Sequence, residues 1–507
     1  MTTFVATSKT PYINVFPDHR LNPINRLIYS GFTEHMGRCI YGGIFDPDNP
    51  NKELINEDGF RLDVIEALKP LKIPVFRYPG GNFCATYHWQ DGVGPRDQRP
   101  AFPELAWGTV ETNHFGTDEF MKWCKAVSAE PYLCLNFGTG TLDEALAWVD
   151  YCNGTKNTKY ANMRRANGHE EPYKVKYWAL GNEMWGDWQV SQLTAEAYAE
   201  RALQWAKALK LLDPNLVLVL CGAEGAHSWD FKVLKHCIRP AGKDDLGEYR
   251  KPLIDMHSIH LYTASYDHYE NVVGPLTAER NIEIAKGLID IPFYESKIPA
   301  SQPRPLICFD EWNVWMPSRA VGSAGGEENY TLSDALAVGV WLNIFVRKSA
   351  DVGMANIAQS VNVLSPLMTS KQGITKQTTW YVYELFCKYM KGYLIATHVG
   401  CEEYTGKTKV EYCRATRRTP YLDVSACYDE EEGVVNIAVV NMHLDNDYEV
   451  KLGGIKGKAQ VLEVNGDDVK VTNMGGEQKV GITEKEVDVD ESYKFPKHSF
   501  SLLRYKA

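Results

Sequence analysis

The chain has 507 residues and a mass of 57.3 kDa, more than one hydrophobic core normally serves, so a large domain with a smaller companion is expected. Hydrophobic residues make up 44% and charged residues 23%, ordinary globular usage that excludes a largely disordered or collagen-like chain. A net charge of −11, from 65 acidic against 54 basic residues with no basic run, would repel a phosphate backbone and argues against a nucleic-acid partner.

From Leu27 to Lys391 one unit recurs: a short apolar run, a polar or glycine-containing loop, then a segment of helical period. The apolar runs begin near Leu27, Pro74, Pro131, Val175, Leu216, Asp255, Pro305 and Val352 and suit strands buried on both faces. Helices are predicted over Gly59 to Leu71, Gly116 to Ser128, Leu142 to Cys152, Thr194 to Leu212, Trp229 to Cys237, Thr277 to Ile289, Leu332 to Lys348 and Thr378 to Met390. Thr141 followed by Glu144 has the pattern of a capping box; Ser333 with Asp334 has it only in part. Eight alternating units with right-handed crossovers predict an α/β fold, a (β/α)8 TIM barrel over residues 21–391, with an open doubly wound sheet as the runner-up. Beyond Gly392 the pattern changes to period two, as in Leu422, Val424, Ala426 and Tyr428, with turn clusters such as Asn465-Gly-Asp-Asp468. This predicts a C-terminal antiparallel β-sandwich over 392–507, joined by a strand from residues 1–20 that contains Tyr12 to Phe16. No flexible linker separates the two, so they should pack closely.

No stretch approaches the roughly 20 apolar residues of a membrane span, and Met1 to Arg20 lacks the apolar run of a secretory signal. A cytoplasmic protein with no membrane partner is expected. The 12 cysteines are scattered through apolar runs without a Cys-x-x-Cys, which favours buried free thiols over disulfides.

In a barrel of this kind the chemistry sits where the strands end. Those ends read Glu34-His35, Arg77-Tyr-Pro-Gly-Gly-Asn82, Asn136, Asn182-Glu183, His257 to Tyr262, Asp310-Glu311-Trp312-Asn313 and Gln359. Packing has no use for so many carboxylates and amides at one end. Glu183 and Glu311 stand out because each follows an apolar strand and is followed by Trp within two residues. Two carboxyl groups across a cleft suit glycoside hydrolysis, one protonating the leaving oxygen and the other attacking the anomeric carbon. Asn182 supplies an amide for a sugar hydroxyl. Either glutamate taken alone also reads as a solvated loop carboxylate or half of an ion pair.

The motifs Gly31-Phe-Thr-Glu34-His-Met-Gly-Arg38, Arg77-Tyr-Pro-Gly-Gly-Asn82, Asp91-Gly-Val-Gly-Pro95, Leu180-Gly-Asn-Glu183-Met and Phe309-Asp-Glu311-Trp-Asn-Val-Trp315 resemble glycoside hydrolase family 51, the α-L-arabinofuranosidases. The likeness runs in order through the barrel and fades in the β domain. It implies a retaining enzyme that releases terminal α-L-arabinofuranosyl residues from oligosaccharides or polysaccharides, with Glu183 as acid/base and Glu311 as nucleophile. It further implies that Glu34, Asn82, Asn182, Tyr262 and Gln359 hold the arabinofuranose, that Trp107 and Trp315 lie near the leaving group, and that a homo-oligomer forms. The loop from Met316 to Tyr330 looks shorter than in bacterial members, which leaves leaving-group preference open. A β-xylosidase, an endo-β-glucanase and a non-catalytic sugar-binding barrel are the alternatives.

Several neighbouring residues have plainer readings. His257 and His260 should point to opposite faces of their strand, which disfavours a metal pair, and the first strand offers only His35 rather than His-x-His. With no dinucleotide fingerprint either, neither metal nor organic cofactor is expected. Asp310 should point away from Glu311 and so is the weaker nucleophile. Arg77-Tyr-Pro-Gly-Gly also reads as a tight turn, and Cys84 as packing. The charge of Glu311 is expected to raise the pKa of Glu183.

Overall fold

A computed structural model describes residues 1–7, 9–242, 251–320, 326–410, 413–416, 418–490 and 492–506. Eight parallel strands, Gly31–Phe32, Val75–Tyr78, Glu130–Cys134, Tyr177–Leu180, Val217–Leu220, Met256–Thr263, Leu306–Val314 and Val352–Ile357, pair in chain order into one barrel-like sheet. Its two ends meet: Ser30 bridges Asn356 in parallel, with Ser30 N donating to Ala355 O at 3.0 Å and Ile357 N to Ser30 O at 2.9 Å. The first strand begins later than its apolar run suggested. Arg26–Tyr29 is a 3₁₀ turn capped by Asn25, and only Gly31 and Phe32 pair with the next strand.

Helices Leu62–Leu68, Thr117–Val127, Leu142–Asn153, Ala195–Leu212, Ser228–Cys237, Leu276–Glu295, Leu332–Arg347 and Thr378–Tyr389 follow successive strands, with shorter helices at Lys159–Ala166 and His268–Val273. Thr141 caps its helix as the pattern predicted, accepting from Glu144 N. At the later site the box is built by Thr331 rather than Ser333: Thr331 accepts from Asp334 N, and Asp334 accepts from Thr331 N. The expected pattern was offset by two residues because Ser333 is already inside the first turn, where its hydroxyl reaches His268 and Asn271.

Alternate residues of the strands divide between two cores. Phe76, Leu133, Trp178 and Leu218 point outward to the helices, whereas Val75, Tyr132, Cys134, Tyr177, Ala179, Val219, Met256, Cys308 and Met354 fill the barrel interior. The inward positions turn polar toward the carboxyl ends of the strands, so the apolar plug becomes the floor of a polar site. All 12 cysteines are free and buried.

The β domain is one hydrogen-bonded sheet. Its strands run, in spatial order, Ile482–Asp488, Lys458–Val464, Ser499–Lys506, Val434–Asn441, Leu422–Asp429, Tyr393–Cys401, Tyr12–Pro23, Tyr448–Gly453 and Ser492–Phe495, with Thr2–Ala6 added beside Tyr393–Cys401. Both ends of this path share one apolar core that includes Ile13, Val450, Phe495, Ile437, Val461 and Leu503. The two layers expected of a sandwich are thus parts of a continuous sheet wrapped over its own core. Leu422, Val424 and Ala426 face that core, while the intervening Asp423 and Ser425 meet the helix Leu332–Arg347. There Asn343 donates to Asp423 Oδ1 at 2.8 Å and Arg347 to the same oxygen at 3.0 Å. The period-two pattern therefore reports one buried face of this strand and misses the second.

Candidate active site

The strand ends enclose a cavity of about 440 Å³, within the usual size range of small-molecule sites. Eight of the nine residues singled out in the sequence line it: Glu34, Asn82, Trp107, Glu183, Tyr262, Glu311, Trp315 and Gln359. The ninth, Asn182, lies one layer behind. Its amide donates to Asn82 Oδ1 at 3.1 Å and its oxygen accepts from Arg77 at 2.6 Å, so it orients Asn82.

Glu311 is fixed from two sides. Arg77 donates to Oε1 at 2.7 Å and the Tyr262 hydroxyl to Oε2 at 2.8 Å. Glu183 sits at the end of the fourth strand with a φ of 44°, a left-handed conformation that costs a non-glycine residue energy and clusters at functional sites. The turn it heads is closed by Gly186 N donating to Glu183 O at 2.8 Å. Its Oε1 lies 3.0 Å from His260 Nδ1, and its Oε2 accepts from the Trp188 indole at 2.7 Å. One oxygen of Glu183, one of Glu311 and a ring nitrogen of His260 all lie within 4.8 Å of one another.

The expectation for Asp310 is overturned. It does not point away from Glu311: Asp310 Oδ2 accepts from the Tyr132 hydroxyl at 2.8 Å and lies 3.4 Å from Arg77 Nε, while Oδ1 meets Ser258 and, at 3.2 Å, His260 Nε2. The reason is a break in strand register between Phe309 and Trp312, matched by one between Ser258 and His260. Phe309 and Trp312 both pack outward on Trp341 and Phe345, so the two residues between them both face inward, as a β-bulge allows. Asp310 lies in the deeper layer, saturated by its partners, and Glu311 reaches the cavity.

The histidines separate as expected. His257 faces the helices and bonds Asp230 at 2.8 Å, whereas His260 enters the site. The glycines of Arg77-Tyr-Pro-Gly-Gly do more than turn the chain. A side chain at Gly81 would start 2.6 Å from the Glu34 carboxylate, so its absence lets Glu34 approach the backbone. Glu34 accepts from Phe83 N and from the Trp107 indole, each at 3.2 Å, and from Gln359 at 3.1 Å. Trp315 packs edge-on against Tyr262 with ring centroids 5.2 Å apart. Part of the loop Met316 to Tyr330, residues 321–325, lies outside the described residues.

Burial, and then the charge of Glu311, pushes the Glu34 carboxyl up to about 8. Burial also favours neutral Glu183, but the hydrogen bond and charge of His260, with Trp188 and Arg77, outweigh it and hold Glu183 below its ordinary value. This reverses the direction expected from Glu311 alone, because the sequence did not show an imidazole between the two carboxylates. Burial disfavours the His260 cation, yet Glu311, Asp310 and Glu183 overcome it and raise its pKa to about 10. Burial likewise opposes the Asp310 charge, and Arg77 and His260 hold it well below the carboxylate range.

Sequence reasoning weighed His260 only against a metal role and Arg77 only as part of a turn, and it passed over Trp188 and Glu224. Arg77 and His260 were visible as strand-end residues; Trp188 and Glu224 reach the cavity from loops whose shape no local pattern announces.

A barrel with two convergent carboxylates, a polar floor and aromatic walls has the features of a glycoside hydrolase. This chain belongs to the α-L-arabinofuranosidase family. Two family models match it, the α-L-arabinofuranosidase 1 domain over residues 67–273 and the α-L-arabinofuranosidase C-terminal domain over 310–499. It is 63% identical to the probable α-L-arabinofuranosidase C of Aspergillus terreus, covering 100% of both chains. With the intracellular exo-α-(1→5)-L-arabinofuranosidase 1 of Bacillus subtilis it shares 34% identity over 91% of each chain. Among solved structures, the α-L-arabinofuranosidase of Thermotoga maritima in its arabinose complex matches with a TM-score of 0.88 and 39% identity, covering 98% of this chain and 100% of that one. The family 51 enzyme of Thermotoga petrophila matches with a TM-score of 0.87 at 38% identity, with the same coverage.

Proposed function

We propose that this chain is a retaining α-L-arabinofuranosidase that removes terminal arabinofuranosyl residues by double displacement, with Glu311 as nucleophile and Glu183 as acid/base. The observation that carries the reading is the convergence of the two carboxylates: an oxygen of each lies within 4.8 Å of the other. Retaining pairs stand about 5 to 5.5 Å apart, whereas inverting pairs need roughly 6.5 to 9.5 Å to admit a water.

In this mechanism Arg77 and Tyr262 aim the Glu311 oxygens at the anomeric carbon. Glu183 and His260 share a proton across 3.0 Å. With the pKa of Glu183 held down and that of His260 raised, the resting pair is carboxylate and imidazolium. When a sugar excludes water, the lower dielectric disfavours separated charge and favours carboxylic acid with neutral imidazole, and Glu183 then protonates the leaving oxygen. Glycosylation neutralises Glu311, and Glu183, now ionised, activates the water that cleaves the intermediate. Neutral Glu34, with Gln359 and Asn82, offers both donors and acceptors to the sugar hydroxyls. Arg77 places a fixed positive charge on Glu311, so the cluster of Glu183, His260 and Glu311 is read as a proton-transfer array rather than a metal site.

We assign residues 21–391 to a (β/α)8 barrel and 392–507, with the N-terminal strand, to the β domain. A cytoplasmic location is supported by the free thiols and by the name of the Bacillus relative; among the described residues no helix is long and apolar enough to cross a membrane. Hydrolysis of a panel of aryl glycosides tests the function: turnover should be confined mainly to the α-L-arabinofuranoside, and a preference for β-xyloside or β-glucan would reject it.

A further inference from the structure

Glu224 lines the same cavity as the two catalytic carboxylates but differs from every other carboxylate there. Glu34, Glu183 and Glu311 are each held by several hydrogen bonds; Glu224 has no hydrogen-bond or ion-pair partner among the described residues. The turn that carries it is nevertheless rigid. The fully buried Asp230 accepts from Ala223 N at 2.8 Å, Gly225 N at 3.1 Å and His227 N at 3.2 Å, on both sides of Glu224. Gly225 takes a φ of +80°, which a side chain would oppose, and His260 N donates to Ala223 O at 2.9 Å, tying the turn to the site. His257 locks Asp230 from behind at 2.8 Å. A turn so firmly held, ending in an unpaired carboxylate, is preorganised for a ligand rather than for folding.

The position of that ligand follows from Trp188. Its indole N–H bonds the Glu183 oxygen at 2.7 Å while 54% of the residue stays exposed, and Trp185 backs it edge-on at 5.0 Å. Whatever is attached to the oxygen that Glu183 protonates must lie beside this ring. An apolar leaving group there would desolvate Glu224 with nothing to replace water. A sugar ring offers an apolar face to the indole and hydroxyl donors to the carboxylate.

We propose that Trp188 and Glu224 form part of the leaving-group subsite and that Glu224 is a specificity-determining residue selecting a hydroxyl-bearing sugar as the leaving group. The inference rests on the hydrolase reading above, with Glu183 as the acid. The test compares kcat/KM for an arabinofuranosyl disaccharide with that for 4-nitrophenyl α-L-arabinofuranoside in wild type, Glu224→Ala and Glu224→Gln. Loss of a charge-assisted hydrogen bond should lower the disaccharide-to-aryl ratio about tenfold or more in Glu224→Ala, and about threefold in the isosteric Glu224→Gln, which keeps a neutral acceptor and carries the test if the Ala variant fails to fold. A ratio unchanged in every variant that folds overturns the assignment of Glu224. Wild type inert on both substrates overturns the hydrolase reading itself.

Discussion

His260 Nδ1 lies 3.0 Å from Glu183 Oε1, so the proposed acid/base is paired with an imidazole before any substrate arrives. The ring also reaches Asp310 through Nε2 at 3.2 Å and stands 3.6 Å from Glu311. It therefore links the deep carboxylate layer to the reacting one, and a proton on it is felt by both.

A pH effect on stability follows. The folded pKa of His260, about 10, is raised above the ordinary 6.5, so its stabilising contribution is fully present below about 6.5 and is lost as pH rises toward 10. Thermal unfolding from pH 6 to 10 should show wild type losing Tm relative to His260→Asn across that window. A constant difference between the two would mean the ring carries no extra proton. The same variant should also lose activity more on natural glycosides than on activated aryl substrates, since Glu183 loses its proton partner.

Glu34 shows the same sign from a different cause, burial of a carboxyl group. Its folded pKa of about 8 lies above the ordinary 4.5, so the stability it contributes is present below about 4.5 and lost as pH rises to 8. Glu34→Gln mimics the neutral form and should narrow the fall in Tm over that interval relative to wild type. A parallel pair of curves would show that Glu34 is ionised in the folded protein.

Removing the two carboxylates proposed as acid/base and nucleophile should have unlike consequences. Glu183→Ala should cost on the order of 10² to 10⁴ in kcat on oligosaccharides and far less on an aryl substrate with a good leaving group, with external azide restoring turnover through an azide adduct. Glu311→Ala should abolish turnover of both classes alike. Steady-state kinetics on paired substrates separate these outcomes, and equal losses for Glu183→Ala on both would reject the roles.

Arg77 joins the deep carboxylate layer to the cavity. It is buried against Asp310 and Glu311 and also holds Asn182. Arg77→Leu leaves two inward carboxylates without their guanidinium partner and should destabilise the fold by about 3 to 5 kcal/mol, read by urea unfolding. Tyr262→Phe removes one hydrogen bond from Glu311 and should lower kcat about tenfold with little change in unfolding midpoint.

What the sequence revealed and withheld has a physical pattern. The barrel was legible because each buried strand is a continuous apolar run and each helix has its own period, and Glu183 and Glu311 because carboxylates directly after such runs have no packing role. Asp310 was misplaced because simple alternation fails at the bulge between Phe309 and Trp312. The opening strand was shifted because two residues, Gly31 and Phe32, carry no period. The direction of the Glu183 shift was missed because it depends on His260, 77 residues away in the chain. Glu224 was invisible because it reaches the cavity from a turn that Asp230 builds around it, which no motif announces.

Double displacement by Glu311 and Glu183 predicts the stereochemistry of the first-formed sugar. Proton NMR during early hydrolysis of an aryl α-L-arabinofuranoside should show the α-anomer of arabinofuranose accumulating before mutarotation. Appearance of the β-anomer first would contradict the mechanism and the roles of both carboxylates, even with the fold unchanged.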